Sequence, residues 1–339
     1  MQSREPDGVP AVGRLNRMLL AKWSPQSVTV TVLLAVLGLL LIFAPAYLGT
    51  YWLRVFSMIF MYASLAQALN LIAGFAGYPA FGNVVFFGIG AYSVAMVMVR
   101  GGSFLLGLAV ALTASITIAL MLGPPLLRLR GHYFAIATVA LNELIKQIVN
   151  NLTATGGGMG LSIPLPPGTP LESARTFYYL LLGSMLVAIL LGALFKYSRL
   201  GLAACAIRDD EVKAEAMGLR TTAIKTMAWS ASAGLTGAVG GIYAYWFSYV
   251  DPPAVFDMVI AVKAYVMFLF GGAATVLGPI FGAFVIEYAS TVLWSNFLEY
   301  HVGALGLSII LIVLYMPDGL LRFFRQRGRL ATALFAPQR

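Results

Sequence analysis

The sequence predicts an all-α fold, a polytopic integral membrane helical bundle of about ten transmembrane segments. Three observations predict it. Of 339 residues, 60% are hydrophobic and 10% charged, against roughly 45–50% and 25% in an average soluble domain. Apolar runs of about 20 residues recur along most of the chain, each long enough to cross a hydrocarbon core about 30 Å thick as a helix. Basic residues are dense in alternate connections and sparse in the others, which is how positive charge marks one side of a membrane.

The elements follow in order. Residues 1–27 are polar, carry Arg4, Arg14, Arg17 and Lys22, and read as a cytoplasmic N-terminal segment. Residues 28–48 run without a charge. This run exceeds the 7–15 residues or so of a signal-peptide core, so it reads as a retained first span even though Ala44-Pro45-Ala46 mimics a cleavage site. Further spans are predicted over 52–73, 84–99, 103–122, 133–149, 177–197, 224–247, 258–270, 279–298 and 303–316. Four of these are short, which leaves open eight full crossings with two re-entrant pieces. Together 28–321 form the membrane domain, with an inner loop at 198–223 and a basic cytoplasmic tail at 322–339.

The net charge of +9 reads as orientation rather than as a nucleic-acid footprint. With the N-terminus inside, 17 of the 22 Lys and Arg residues fall in inner segments. The outer loops 150–176 and 248–257 carry Arg175 alone among basic residues. Ten spans return the C-terminus to the basic side. The outer loop from Asn150 to Thr176 holds Gly156, Gly157, Gly158 and Gly160, then Pro164, Pro166, Pro167 and Pro170, and these turns favour an ordered cap. One Cys, Cys205, and two histidines, His132 and His301, exclude a disulfide framework and give no Cys/His metal spacing.

Chemistry-bearing residues are few. The inner loop Ser198 to Arg220 contains a short predicted helix, with Asp209 as its N-cap, Asp210 and Glu211 in its first turn and Gly218 as its left-handed stop. A solvated connector and a docking helix for a cytoplasmic protein are the competing readings. The small apolar face of Val212, Ala216 and Met217 among mixed charges suits protein better than anionic lipid. Arg208-Asp209-Asp210-Glu211 also suits a metal–diphosphate site of a membrane transferase, but the second acidic cluster such a site needs is absent. No G-x-x-x-x-G-K-[ST] loop exists and Gly-Lys never occurs, so any ATP-driven work requires nucleotide on another subunit.

At membrane depth stand Glu143, Lys146, Lys263 and Glu287, each costing roughly 2.5–3.5 kcal/mol at a lipid-facing helix centre. Glu143 and Lys146 are three apart and placed to pair. So sparse a set argues against an ion-coupled secondary carrier. Asn70, Gly74, Gly77 and Asn83 lie in a stretch where Gly, Pro and Asn interrupt two spans, either a tight cytoplasmic turn or a broken element open to a cavity. Gly271-Gly272 to Gly282 reads the same way. P-A-F-G at 79–82 and P-I-F-G at 279–282 echo each other, too briefly to establish a repeat.

Several segments, in order, resemble the permease subunits of branched-chain amino acid ABC importers, specifically the LivM-like member of the pair. They are L-N-L-I-A-G-F-A-G-Y-P-A-F-G-N-V-V-F-F-G-I-G-A-Y at 69–92, L-R-L-R-G-H-Y-F-A-I-A-T at 127–138, T-G-G-G-M-G-L at 155–161, A-I-R-D-D-E-V-K-A-E-A-M-G at 206–218 and G-G-A-A-T-V-L-G-P-I-F-G-A at 271–283. The resemblance implies a transport subunit of the bacterial inner membrane that is not an enzyme and binds no cofactor itself. ATP is expected on two partner ATP-binding subunits, beside a second, LivH-like permease and an extracytoplasmic solute-binding protein. Arg208, Asp209, Asp210, Glu211, Glu215 and Gly218 would then form the ATPase-coupling helix. Asn70, Gly74, Gly77, Asn83, Glu143 and Lys263 are pathway candidates. The implied solute is a branched-chain or other apolar amino acid, although similar permeases carry urea, amides or aromatic acids. The sequence departs from the family at His132, where Asp is usual after Arg-Gly, at Ala261 and Lys263, and at Ala274, where Gly is usual.

Overall fold

The computed structural model describes residue 38 and residues 40–296, with side chains through 291. The chain divides into a unit ending at Tyr47 and a unit from Leu48 onward. Of the first unit only the end is described, including a 3-10 turn over Ala44–Ala46. The predicted segment 1–27, most of the span 28–48, the span 303–316 and the tail 322–339 lie outside the described residues.

The second unit is helical. Its long elements are α1 (Thr50–Leu69, continued by a π turn over Asn70–Gly74), α2 (Val84–Val99), α3 (Phe104–Leu126), α4 (His132–Asn151) and α5 (Pro170–Tyr197). Two short helices, α6 (Arg199–Asp209) and α7 (Glu211–Ala216), precede α8 (Thr221–Phe247). They are followed by α9 (Pro252–Val255), α10 (Met258–Gly271) and α11 (Gly278–Asn296). Five stretches among the described residues are long and apolar enough to cross a membrane: Thr50–Gly74, Phe81–Val99, Phe104–Leu126, Pro170–Tyr197 and Pro252–Gly271. They make this a multi-pass, all-α membrane protein.

Local chemistry sets the helix ends. Ser103 and Asp257 cap α3 and α10 by accepting the backbone N–H of Leu106 and Val259. Thr169 and Glu172 form a capping box that starts α5 seven residues before the predicted span.

α8 is the centre of the bundle and packs chiefly on α2 and α3. Its residues are small and polar rather than strongly apolar, because protein surrounds it and close backbone approach replaces lipid contact. A side chain in place of Gly90 would collide with the Gly237 carbonyl, and one at Gly240 with that of Phe87. Around this centre α1 packs on α5 and α11, and α10 packs on α11.

The connections that alternate in charge also separate in the packing. The outer loops 150–176 and 248–257 meet in a two-stranded antiparallel ribbon, β1 (Leu161–Ser162) with β2 (Tyr249–Val250), with Leu161 opposite Val250. Ile163 donates its N–H to Ser248 O at 2.9 Å and the Tyr249 hydroxyl bonds Met159 O at 2.7 Å. The connections assigned to the inner side gather at the other end of the bundle.

Candidate functional site

At the end of the bundle away from the ribbon, the Ser198 hydroxyl accepts the N–H of Gly201 at 3.0 Å and starts α6. That helix runs through Asp209, so Arg208 and Asp209 lie on its last turn. They are not part of the short helix that follows. Asp210 is extended, at φ −162° and ψ 103°, and its Oδ1 accepts the N–H of Lys213 at 3.0 Å. It is therefore Asp210, not Asp209, that caps α7. The expected N-cap was one residue early because Asp209 and Asp210 are adjacent and composition alone does not say which of them ends α6 and which starts α7. The Lys213 N–H holds the Asp210 carboxyl below its ordinary value, and Asp210 in turn raises the Lys213 ammonium. Gly218 ends the turn at φ +85°, as expected.

α7 is fastened to three other parts of the bundle. Lys225 on α8, 1% exposed, donates to Glu211 Oε1 at 2.6 Å, to the Tyr78 hydroxyl at 2.8 Å and to the Leu127 carbonyl at 2.8 Å. The carbonyl is one of those left free where α3 ends after Pro124 and Pro125. Tyr78 donates to Glu211 Oε2 at 2.5 Å, and its ring centre lies 4.3 Å from the Lys225 ammonium. Arg130 reaches Glu211 at 3.8 Å and Glu215 at 3.7 Å, and Glu215 accepts from the Thr221 hydroxyl at 2.8 Å. Burial alone would push the Glu211 carboxyl up, but the hydrogen bonds from Lys225 and Tyr78 and the nearby cations bring it below its ordinary value. Tyr78 is raised, by burial first and then by Glu211. The outward face of α7 offers Val212, 61% exposed, Met217, 72% exposed, and Ala216.

Arg208 is fixed separately. Its Nη1 donates to the Gly74 carbonyl at 3.0 Å. Its stem crosses Gly77, whose φ of +76° and 2.6 Å clearance from Arg208 Cγ exclude a side chain.

The two Gly-rich interruptions meet. Asn70, fully buried on the π turn, donates to the Thr275 carbonyl at 2.6 Å and accepts from the Ala274 N–H at 2.8 Å. Phe81 stacks on Tyr265 at 4.3 Å. Asn83 donates to Ser232 at 3.1 Å and Thr236 at 3.0 Å on α8. Asn70, Gly74 and Asn83 are therefore buried joints, whereas Gly77 is exposed. The cavity beside Asn83, lined also by Leu65, Leu69 and Ala261, measures about 10 Å³, room for about one water.

The remaining two pathway candidates differ. Lys263 is ion-paired to Glu287 at 2.6 Å, both largely buried, and lies 4.5 Å from the Tyr62 ring centre. Glu143 pairs with Lys146 at 3.7 Å, as their spacing anticipates, and is 54% exposed. Sequence reasoning missed the Tyr78–Glu211–Lys225 link and the Lys263–Glu287 pair, whose members are on different helices. The one available signal was a lysine placed in the first turn of a predicted span.

A family model described as branched-chain amino acid transport system, permease component, matches residues 51–316. The chain is 31% identical over 306 residues to the high-affinity branched-chain amino acid transport system permease protein LivM of Salmonella typhimurium, covering 81% of this chain and 71% of that protein. It is 31% identical over 314 residues to the protein of the same name from Escherichia coli, covering 83% and 72% respectively. No solved structure matches.

Proposed function

The chain belongs to the family of permease components of branched-chain amino acid transport systems, and on that premise we propose how it works within an ATP-driven importer. It is the membrane-embedded transport subunit and is not itself catalytic. In the proposal, ATP is hydrolysed on two separate cytoplasmic subunits, the chain binds no cofactor, and both of its termini lie on the cytoplasmic side of a bacterial inner membrane. A second permease completes the channel, and a solute-binding protein delivers the amino acid from outside. Its docking surface would be the ribbon of paired outer loops, where Met159 and Leu165 are 87% and 82% exposed.

α7 is proposed as the element on which the ATPase acts. The observation that carries this is the way α7 divides its two faces. Val212, Ala216 and Met217 face outward, while Glu211 is bound inward to Lys225, Tyr78 and Arg130. A push on the outward face is thereby transmitted to the start of α8, to the break between α1 and α2, and to the α3–α4 turn. Arg208, through the Gly74 carbonyl, adds a second point of attachment to that break. In this role Asp210 and Gly218 set the two ends of α7 and Glu215 braces it against Arg130 and Thr221.

Uptake of labelled leucine into vesicles containing the assembled transporter tests the reading. Uptake is expected to require ATP and the binding protein. Uptake that proceeds on an ion gradient without ATP would refute it. Met217→Asp, which leaves every inward contact of α7 in place, is expected to abolish uptake by folded protein; unchanged uptake would remove α7 from the role.

A further inference from the structure

The outward surfaces of the membrane helices are of two kinds. α3 and α5 present hydrocarbon: Leu105 is 73% exposed, Met121 71% and Leu190 57%. α3 has no ionisable residue, and those of α5 stand near its ends. Both faces suit lipid.

α4 is different. Its 20 residues span about 30 Å, from the inner turn whose Arg130 touches α7 to the outer loop beyond Asn151. It must therefore cross with its neighbours, yet it is not among the stretches apolar enough to do so in lipid. Its buried face is Phe134, Thr138, Leu141 and Asn142. The opposite face is exposed and, beyond Ala140, holds a polar stripe at helical spacing: Glu143, Gln147 and Asn151. Gln147 donates to Glu143 Oε1 at 2.9 Å, and the Asn151 side chain donates to the Gln147 carbonyl at 2.8 Å. Glu143 lies near mid-helix, half exposed and joined to Lys146 at 3.7 Å. Lipid does not solvate such a face, and water or a polar partner does.

We propose that this stripe is one wall of the aqueous solute pathway, opposed by a second permease subunit, and that Glu143 and Lys146 meet the ammonium and carboxylate of the passing amino acid. The proposal rests on the importer reading. A neighbouring carboxylate and ammonium match the two ends of a zwitterion, and exposed Ile136, Leu144 and Ile148 beside them offer the apolar surface a branched side chain needs. The wall is thus a helix face, whereas Asn83 lines a cavity with room for only about one water.

Cysteine accessibility in the assembled transporter tests this. In a Cys205→Ala background, single substitutions Ala140→Cys, Glu143→Cys and Gln147→Cys are compared with Leu186→Cys and Leu190→Cys, using a membrane-impermeant methanethiosulfonate. The stripe thiols are expected to react at least about tenfold faster than the lipid-facing ones, because reaction needs water and ionised thiol. Saturating leucine with its binding protein should slow labelling at Glu143→Cys. Stripe thiols no faster than Leu190→Cys would overturn the proposal, whether lipid or another part of this chain seals the face. ATP-dependent uptake by the Cys205→Ala parent separates the two readings. Uptake with an unreactive stripe defeats only this inference, and uptake without ATP defeats the importer reading itself.

Discussion

Removing the Lys225 ammonium isolates what holds α7 to the bundle. Lys225→Met deletes hydrogen bonds to Glu211, Tyr78 and the Leu127 carbonyl from a side chain 1% exposed. Breaking a buried ion pair by removing one partner costs about 3–5 kcal/mol. Glu211 keeps the Tyr78 hydroxyl at 2.5 Å and Arg130 at 3.8 Å, so the expected cost is at the lower end, about 3 kcal/mol. Glu211→Gln leaves Lys225 two oxygen acceptors and should cost about 1–2 kcal/mol. The double variant Lys225→Met/Glu211→Gln carries neither charge, so it should be about 2 kcal/mol less destabilised than the sum of the single changes. Reversible unfolding of the purified chain in mixed detergent micelles measures all three. In the assembled transporter, Lys225→Met should let ATP hydrolysis continue while uptake falls. A loss below about 1 kcal/mol for Lys225→Met, or strict additivity in the double variant, would refute the assignment of Lys225 as the link.

Ala274 holds φ +57°, a conformation that costs a residue with a Cβ about 1–2 kcal/mol. Ala274→Gly should therefore raise the melting midpoint in detergent, and a lowered midpoint would show that the Ala274 methyl contributes more by packing than it costs in strain. For the Lys263–Glu287 pair, Lys263→Met alone should destabilise by about 3 kcal/mol or more. Lys263→Met with Glu287→Met should recover most of that, and an unrecovered double variant would locate the energy in Tyr62 or in packing. Glu211 predicts a pH response. Its carboxyl lies below its ordinary value of 4.5 when folded, so its contribution is complete above that value and is lost as pH falls through the lower folded one. Glu211→Gln should flatten this part of the acid limb, below about pH 4.5; an unchanged midpoint–pH curve would contradict the inward hydrogen bonding.

Much of the fold was legible because it is local. Apolar runs and the Gly and Pro between them predicted 84–99, the very bounds of α2, and came within one residue of the start of α4. The Glu143–Lys146 pair was legible for the same reason, since three residues along a helix bring side chains together. Two local signals were misread. The capping box that starts α5 is embedded in a Pro-rich loop, and α6 is short and joined to α7 by a single extended residue, so its end at Asp209 was read as the start of the next helix. What was not legible depends on contact between distant segments. Lys225 counts as one more inner cation until Glu211, Tyr78 and Leu127 surround it, and Lys263 stands unpaired at membrane depth until α11 supplies Glu287. Both broken segments were marked by their glycines, yet nothing in either sequence says that Asn70 closes on Thr275.

That closure has a consequence for biogenesis. The two residues are 205 positions apart, and at about 5–20 residues per second the ribosome makes the second roughly 10–40 s after the first. During that interval α1 is already threaded into the bilayer with its Asn70 amide lacking the backbone partners it will finally hold. The insertion machinery or adjacent water must solvate it, and a chain halted before Thr275 is left with an unsatisfied polar end on its second predicted span. The joint at the end of α1 is thus completed only once the segment carrying Ala274 and Thr275 has been made.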